Sequence, residues 1–176
     1  MEVIGYCMPP YLPSLRWLRG ERDLKPKDYA RTVVWSNSPG GMVLSVPVQG
    51  GASVVKRLPP EKWEISGHGD WTRIHLGALE AAYGREPFFA HCFPAVAATL
   101  EAYPPLLRDL NTRLLDVLLD SVCARDVAGE LRGFRALHPR RFENIRRRLE
   151  SKIDLSHSIV EPFFRLGPDA VFVCFE

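Results

Sequence analysis

Trp71-Thr-Arg-Ile-His-Leu-Gly-Ala-Leu-Glu-Ala-Ala-Tyr83, closed by Gly84-Arg-Glu-Pro87-Phe88-Phe89, decides how the second half of this chain folds. Trp71, Ile74, Ala78, Leu79 and Ala82 recur at i, i+3, i+7, i+8 and i+11, the spacing of one buried helix face. His75 lies four residues after Trp71 and therefore on that face. An imidazole turned toward a core must find partners for its ring nitrogens, so His75 marks either a polar network or a reactive site.

Working outward, the periodicity predicts two further helices, at 91–102 and 104–123. Pro104-Pro105 suits the first turn of the second, where the missing N–H would be unpaired anyway. There Leu107, Leu114 and Leu118 form a stripe with Asn111 set inside it. Upstream, 33–35 and 42–48 are predicted strands joined by Ser36-Asn-Ser-Pro39-Gly40-Gly41, where Pro-Gly supplies the dihedrals of a type II turn. Pro47 puts the end of the second strand at an edge or bulge. Residues 52–56 are expected to return as a third strand, after an opening strand at 2–7, a proline loop at 9–13 and a brief helix capped by Ser14. The Arg-rich region 125–152 is expected to be partly irregular, with one short helix at 144–151. The apolar run 170–175 is expected to be a closing strand. The fold class is therefore α+β: one domain over residues 1–176, with a small N-terminal antiparallel sheet followed by a packed helical layer.

A chain of 176 residues that is 46% hydrophobic can build one real core. The net charge of +2 conceals a basic stretch from Arg125 to Lys152. Such a stretch suits phosphate or an acidic partner, and a solvated helix face is its plainer explanation. Nucleic acid is disfavoured, because no aromatics are interleaved with the arginines. Cys7, Cys92, Cys123 and Cys174 are scattered without a C-x-x-C pair, so neither a structural zinc site nor any other metal or cofactor is expected. No run approaches the ~18 apolar residues needed to span a bilayer, and no signal-like start is present, which reads as cytoplasmic.

In matching order over most of its length, the sequence resembles the WbqC-like family of bacterial proteins. Pro10-Tyr11-Leu12-Pro13 resembles the opening Y-[LF]-P element, and Leu44-Ser-Val-Pro-Val48 the L-T-V-P-V strand. Trp71 and His75 with Tyr83, Pro87, Phe88 and Phe89 are similar to the W-x-x-x-H, Y and P-[FY]-F block, and Leu107-x-Asp109-Leu-Asn111 to L-x-D-[LF]-N. Arg135-x-x-His138-Pro139, and Leu155-Ser156-x-Ser158-Ile159 followed by Gly167-Pro168, are similar to C-terminal elements of relatives from the Bacteroidetes. Two departures stand out: Arg31-Thr32 replaces an Asn-Arg pair, and Cys7-Met8 replaces His-Gln. The resemblance implies a setting among genes for cell-surface polysaccharide assembly and carries no established reaction.

The candidate site follows from polar groups on elements expected to pack together. His75 is the candidate base, with Tyr83 and Asp109 as catalytic partners, since an imidazole oriented by a carboxylate near a hydroxyl suffices for general base work. Asn111, Arg135, His138 and Ser156 are the candidate substrate contacts, Arg135 and His138 as an anion grip. A core network that only fixes helix docking is the competing explanation. Three functions follow, and the sequence does not say whether the chain is an enzyme at all. The first is an enzyme of cell-surface glycan assembly, using a nucleotide-sugar or an acyl or aminoacyl donor. The second is a non-catalytic accessory protein, and the third nucleic-acid binding through the arginines. Oligomeric state is not legible in the sequence.

Overall fold

The computed structural model describes residues 30–123, 127–153 and 157–174. The expected strand at 2–7, the proline loop, the Ser14 helix and the candidate Ser156 lie outside the described residues.

The hairpin forms where the turn chemistry places it. Strands β1 (Arg31–Val34) and β2 (Met42–Ser45) pair antiparallel with Thr32 opposite Leu44. Gly41 N–H donates to Ser38 O at 3.1 Å, and Gly40 at φ 82° supplies the left-handed residue of the turn after Pro39. One face of the ribbon is buried through Thr32, Val34 and Leu44, while Val43 faces out.

The third strand at 52–56 is not formed. Gly51–Arg57 is instead a short surface helix, α1, begun by Gly50 in the left-handed conformation and steadied by Ser53 Oγ donating to Gly50 O at 2.8 Å. The cause lies in the next segment, which takes the pairing a returning strand would have used. Val48 bridges Ile65, Gln49 N–H donates to Glu64 O at 2.9 Å, and Ser66 N–H donates to Pro47 O at 2.8 Å. On its other side this segment pairs with the chain around Leu106, through Ile65 N–H to Pro105 O at 2.7 Å and Leu107 N–H to Trp63 O at 3.0 Å. Pro104 and Pro105 therefore lie before the helix and not in its first turn, which begins at Leu107 after an extended Leu106.

The helical layer follows the apolar stripes. Helix α2 is Trp71–Tyr83 and buries Trp71, His75, Ala78, Leu79 and Tyr83. Its buried arc is centred near His75, which leaves Ile74, about 100° round the helix, 56% exposed. Helices α3 (Phe89–Glu101) and α4 (Leu107–Ser121) pack on each other, and α4 buries Leu107, Leu110, Asn111, Leu114 and Leu118.

Contrary to expectation, the basic region is regular helix over 127–137 and 139–150. Helices α5 (Val127–Leu137) and α6 (Pro139–Glu150) meet at His138, with Pro139 in the first turn of α6. Phe142, Ile145 and Leu149 recur at i, i+3 and i+7 and hold α6 to the core, an apolar stripe partly hidden in the sequence by five arginines. The closing strand is likewise absent. The chain runs through helix α7 (Val160–Leu166), buried at every residue but Arg165, then a 3-10 turn (Gly167–Ala170) and the short helix α8 (Val171–Cys174). A buried apolar run packed among helices, as this one is among the described residues, must satisfy its amides internally, and helix does so whatever the β propensity of valine and phenylalanine. The architecture is thus α+β, a small antiparallel hairpin followed by packed helices, with α7 against α3.

Candidate functional site

Helix α7 is where burial and charge conflict. Val160, Pro162, Phe163 and Phe164 make it one of the most apolar segments of the core, and Glu161 is fully buried among them. A carboxylate in that position requires charged or hydrogen-bonded partners. Three are present. His157 Nδ1 is 2.6 Å from Glu161 Oε2, Arg165 donates from an Nη to Oε1 at 3.0 Å, and Tyr83 O–H donates to Oε2 at 3.2 Å. His157, Glu161 and Arg165 are spaced i, i+4, i+8, so the three share one side of the chain entering and forming α7.

Each partner is itself fixed by a different element. Arg165 Nε donates to Glu86 Oε1 at 2.9 Å beyond the end of α2, and another nitrogen donates to the Lys152 carbonyl at 3.1 Å. The Tyr83 hydroxyl accepts the Trp35 N–H at 3.0 Å, joining α2 to the hairpin. Burial first, and the Glu161 charge second, push the Tyr83 phenol far above its ordinary pKa, so it stays a proton donor. Ser158 N–H donates to Val33 O at 2.7 Å, and its Oγ accepts the Val160 N–H, so this serine anchors the start of α7. Gly41 lies against the imidazole: a Cβ there would stand 3.3 Å from His157 Nε2.

The cluster opens on a pocket of about 430 Å³ lined by Trp35, Ser151, Lys152, Ile153, His157, Glu161 and Arg165. An imidazole whose Nδ1 is held by a buried carboxylate, at the wall of such a pocket, has the orientation and counter-charge that proton transfer requires.

The sequence-derived candidates distribute differently. Tyr83 belongs to this cluster. His75 is buried at the middle of α2, edge-on to Trp71 with ring centroids 5.2 Å apart. Burial lowers its pKa to about 4, opposed by a hydrogen bond with the Ser45 backbone. Two helical turns, about 12 Å of rise, separate it from Tyr83. Asp109 is half exposed in the first turn of α4, 3.1 Å from Arg108 Nε, and makes no hydrogen bond to His75. Asn111 is buried on α4. Arg135 and His138 are exposed at the α5–α6 corner, with Arg135 over the Phe142 ring at 5.7 Å and His138 against Phe134 at 5.3 Å. The structure thus brings Tyr83 to the buried Glu161 carboxylate and leaves His75, Asp109, Arg135 and His138 in three other places. Cys92 is buried, with its pKa pushed up to about 11, which suits an inert core thiol.

Glu161, His157 and Arg165 were not singled out from the sequence. The available signal was an acid and a base at i, i+4 within the otherwise apolar Ser158-Ile-Val-Glu-Pro-Phe-Phe-Arg-Leu166.

Residues 27–124 match the WbqC-like protein family. The chain belongs to that family. The match covers the hairpin, α1 and α2 to α4, including Tyr83 and Glu86, and ends before His157, Glu161 and Arg165. No curated protein and no solved structure matches the chain. Among the described residues no helix is long and apolar enough to cross a membrane, and no group of three or more His, Cys, Asp or Glu could hold a metal ion.

Proposed function

We propose that this WbqC-like protein is an enzyme of cell-surface polysaccharide assembly, acting on an activated sugar or transferring an acyl or aminoacyl group to one. His157 is its acid–base group and Glu161 the carboxylate that orients it. The observation that carries this reading is the 2.6 Å His157–Glu161 contact at the wall of an open pocket. Arg165 and Tyr83 keep Glu161 oriented, and the family resemblance supplies the polysaccharide setting. His75, sealed under Trp71 and lowered to about 4, serves the core in this scheme and does not act as the base.

A second reading, that of a non-catalytic accessory protein holding a ligand in the same pocket, is favoured by the closure of the cluster on itself. Glu161 and Arg165 satisfy each other, as a purely positioning network would. Nucleic-acid binding is weaker still, since Arg135 and Arg141 lie over the Phe142 and Phe134 rings.

Turnover separates the first two. The protein is incubated with a panel of nucleotide-sugars, with and without acyl and aminoacyl donors, and products are followed by mass spectrometry. His157→Asn is expected to lower turnover by about 100-fold or more, the scale of general acid–base catalysis, while the melting temperature shows the fold retained. Turnover untouched by that substitution defeats the assignment, and binding without any turnover favours the accessory role.

A further inference from the structure

The chemistry of the pocket wall narrows what it can hold, on the reading that His157 and Glu161 form the site. A hydrophobic ligand is a poor match, because only Trp35 and Ile153 among the lining residues are apolar. A cation is a poor match too, since both Glu161 oxygens are already committed, Oε1 to Arg165 and Oε2 to His157 and Tyr83. Arg165 is committed in turn to Glu161, Glu86 and the Lys152 carbonyl.

Two groups keep binding capacity. Lys152 is exposed, and its ammonium has no carboxylate within ion-pair distance among the described residues; its backbone is nonetheless fixed by Arg165 on the carbonyl and by its own N–H to Leu149 O at 3.0 Å. Trp35 is 40% exposed at the pocket wall, although its backbone N–H is tied to Tyr83. An ammonium carried on a fixed stretch of backbone takes an oxyanion. A large half-exposed indole takes the flat, C–H-bearing face of a ring. Between them, the Ser151 hydroxyl, whose proton goes to the Arg148 carbonyl at 2.9 Å, offers its oxygen as an acceptor for a sugar hydroxyl. A bare anion would leave the indole unused, and a neutral ring would leave the ammonium unused. The 430 Å³ volume lies within the small-molecule range and is far larger than a single phosphate needs.

We infer that the pocket binds a phosphorylated sugar, with the ring laid on the Trp35 indole and the phosphate on the Lys152 ammonium. Isothermal titration of the full chain tests this without any turnover. The probes are the 1-phosphates of glucose, galactose, mannose and N-acetylglucosamine, the four parent sugars, inorganic phosphate and uridine monophosphate. At least one hexose 1-phosphate should bind, and its parent sugar and inorganic phosphate should each bind about tenfold more weakly or worse. Lys152→Gln should lose about tenfold or more, the scale of one charge-assisted hydrogen bond, and Trp35→Ala a similar factor. Trp35→Phe, which keeps an aromatic face, should retain most of the affinity.

The inference is overturned if no hexose 1-phosphate binds at about 10 mM, if Lys152→Gln binds as the wild type does, or if uridine monophosphate binds better than every sugar phosphate. Its failure is distinguishable from that of the enzymatic reading. Phosphate-dependent binding with no turnover removes the enzyme and leaves the ligand. Turnover that depends on His157 with binding indifferent to Lys152 does the reverse.

Discussion

His75 and Tyr83 share the buried face of one helix, and burial moves their proton affinities in opposite directions because it opposes charge in both. The imidazole stays neutral by losing its proton early, the phenol by keeping its proton late. For His75 the consequence is a measurable pH dependence. Its folded pKa of about 4 lies below the unfolded value of 6.5, so between those values the unfolded chain takes up a proton that the folded chain refuses. Its contribution to stability is complete above pH 6.5, falls as pH drops through the window, and is constant below about 4. The full loss is roughly 3 kcal/mol for such a shift. Urea unfolding of wild type and His75→Gln at pH 7.5 and 4.5 should show a smaller difference between the two pH values in the variant; equal differences would refute the assignment. Tyr83→Phe probes the other end of the helix. It removes the donor to Glu161 and the acceptor of the Trp35 N–H, leaving two sheltered groups short of a partner, and should cost about 1–3 kcal/mol. A urea midpoint within error of wild type would mean that water replaces the phenol without penalty.

At the level of elements, the hairpin is connected to the pocket through Gly41, whose φ of 74° and lack of a side chain are both used. A Cβ there would stand 2.6 Å from Val34 O and 2.7 Å from Val33 Cγ1, with His157 next in line. Gly41→Ala therefore combines left-handed strain with a backbone clash and should cost about 2 kcal/mol or more, with loss of any His157-dependent turnover. Gly40→Ala is the matched control, since its φ of 82° brings the strain but no atom lies within 4 Å. It should cost about 1 kcal/mol. Equal melting temperatures for the two variants would remove the close approach from the account. The same scale shows what the sequence can express. The turn at Pro39-Gly40 and the helix at Trp71–Tyr83 were legible because each depends on local chemistry, a fixed φ in one case and a 3.6-residue stripe in the other. The segment 52–56 and the closing run 170–175 were misread as strands because β-branched residues state a preference, and pairing is decided by what lies alongside. Ile65 is the partner of Val48, and the described neighbours of Val171–Cys174 are helices.

Across the whole molecule, α7 is the common support of the two layers. Its carboxylate holds the pocket, while Phe164 on the same helix packs on Tyr83 at 5.7 Å and on Phe89 at 5.1 Å, and the Phe164 carbonyl accepts the Phe88 N–H at 2.9 Å. This explains why Tyr83 could be found from sequence and its partners could not. Tyr83 belongs to a long helix with a readable stripe, whereas Glu161 lies 78 residues away in a run so apolar that its charge reads as an interruption. Only the packing of α7 against α2 and the hairpin turns that interruption into a site. On this arrangement the hairpin and the helical layer should unfold together. Phe164→Ala empties a fully buried ring position and should lower stability by about 3–5 kcal/mol. Tryptophan fluorescence reports on all four tryptophans, Trp17, Trp35 beside the hairpin, Trp63 and Trp71, and far-UV circular dichroism reports chiefly on the helices. Both signals should therefore shift together to a lower urea midpoint and keep a single transition. Separate midpoints, with the helical signal surviving after the fluorescence change is complete, would show that the hairpin side can open while the helices stay folded. In that case α7 would not couple the two layers, and the pocket between them would be only marginally stable.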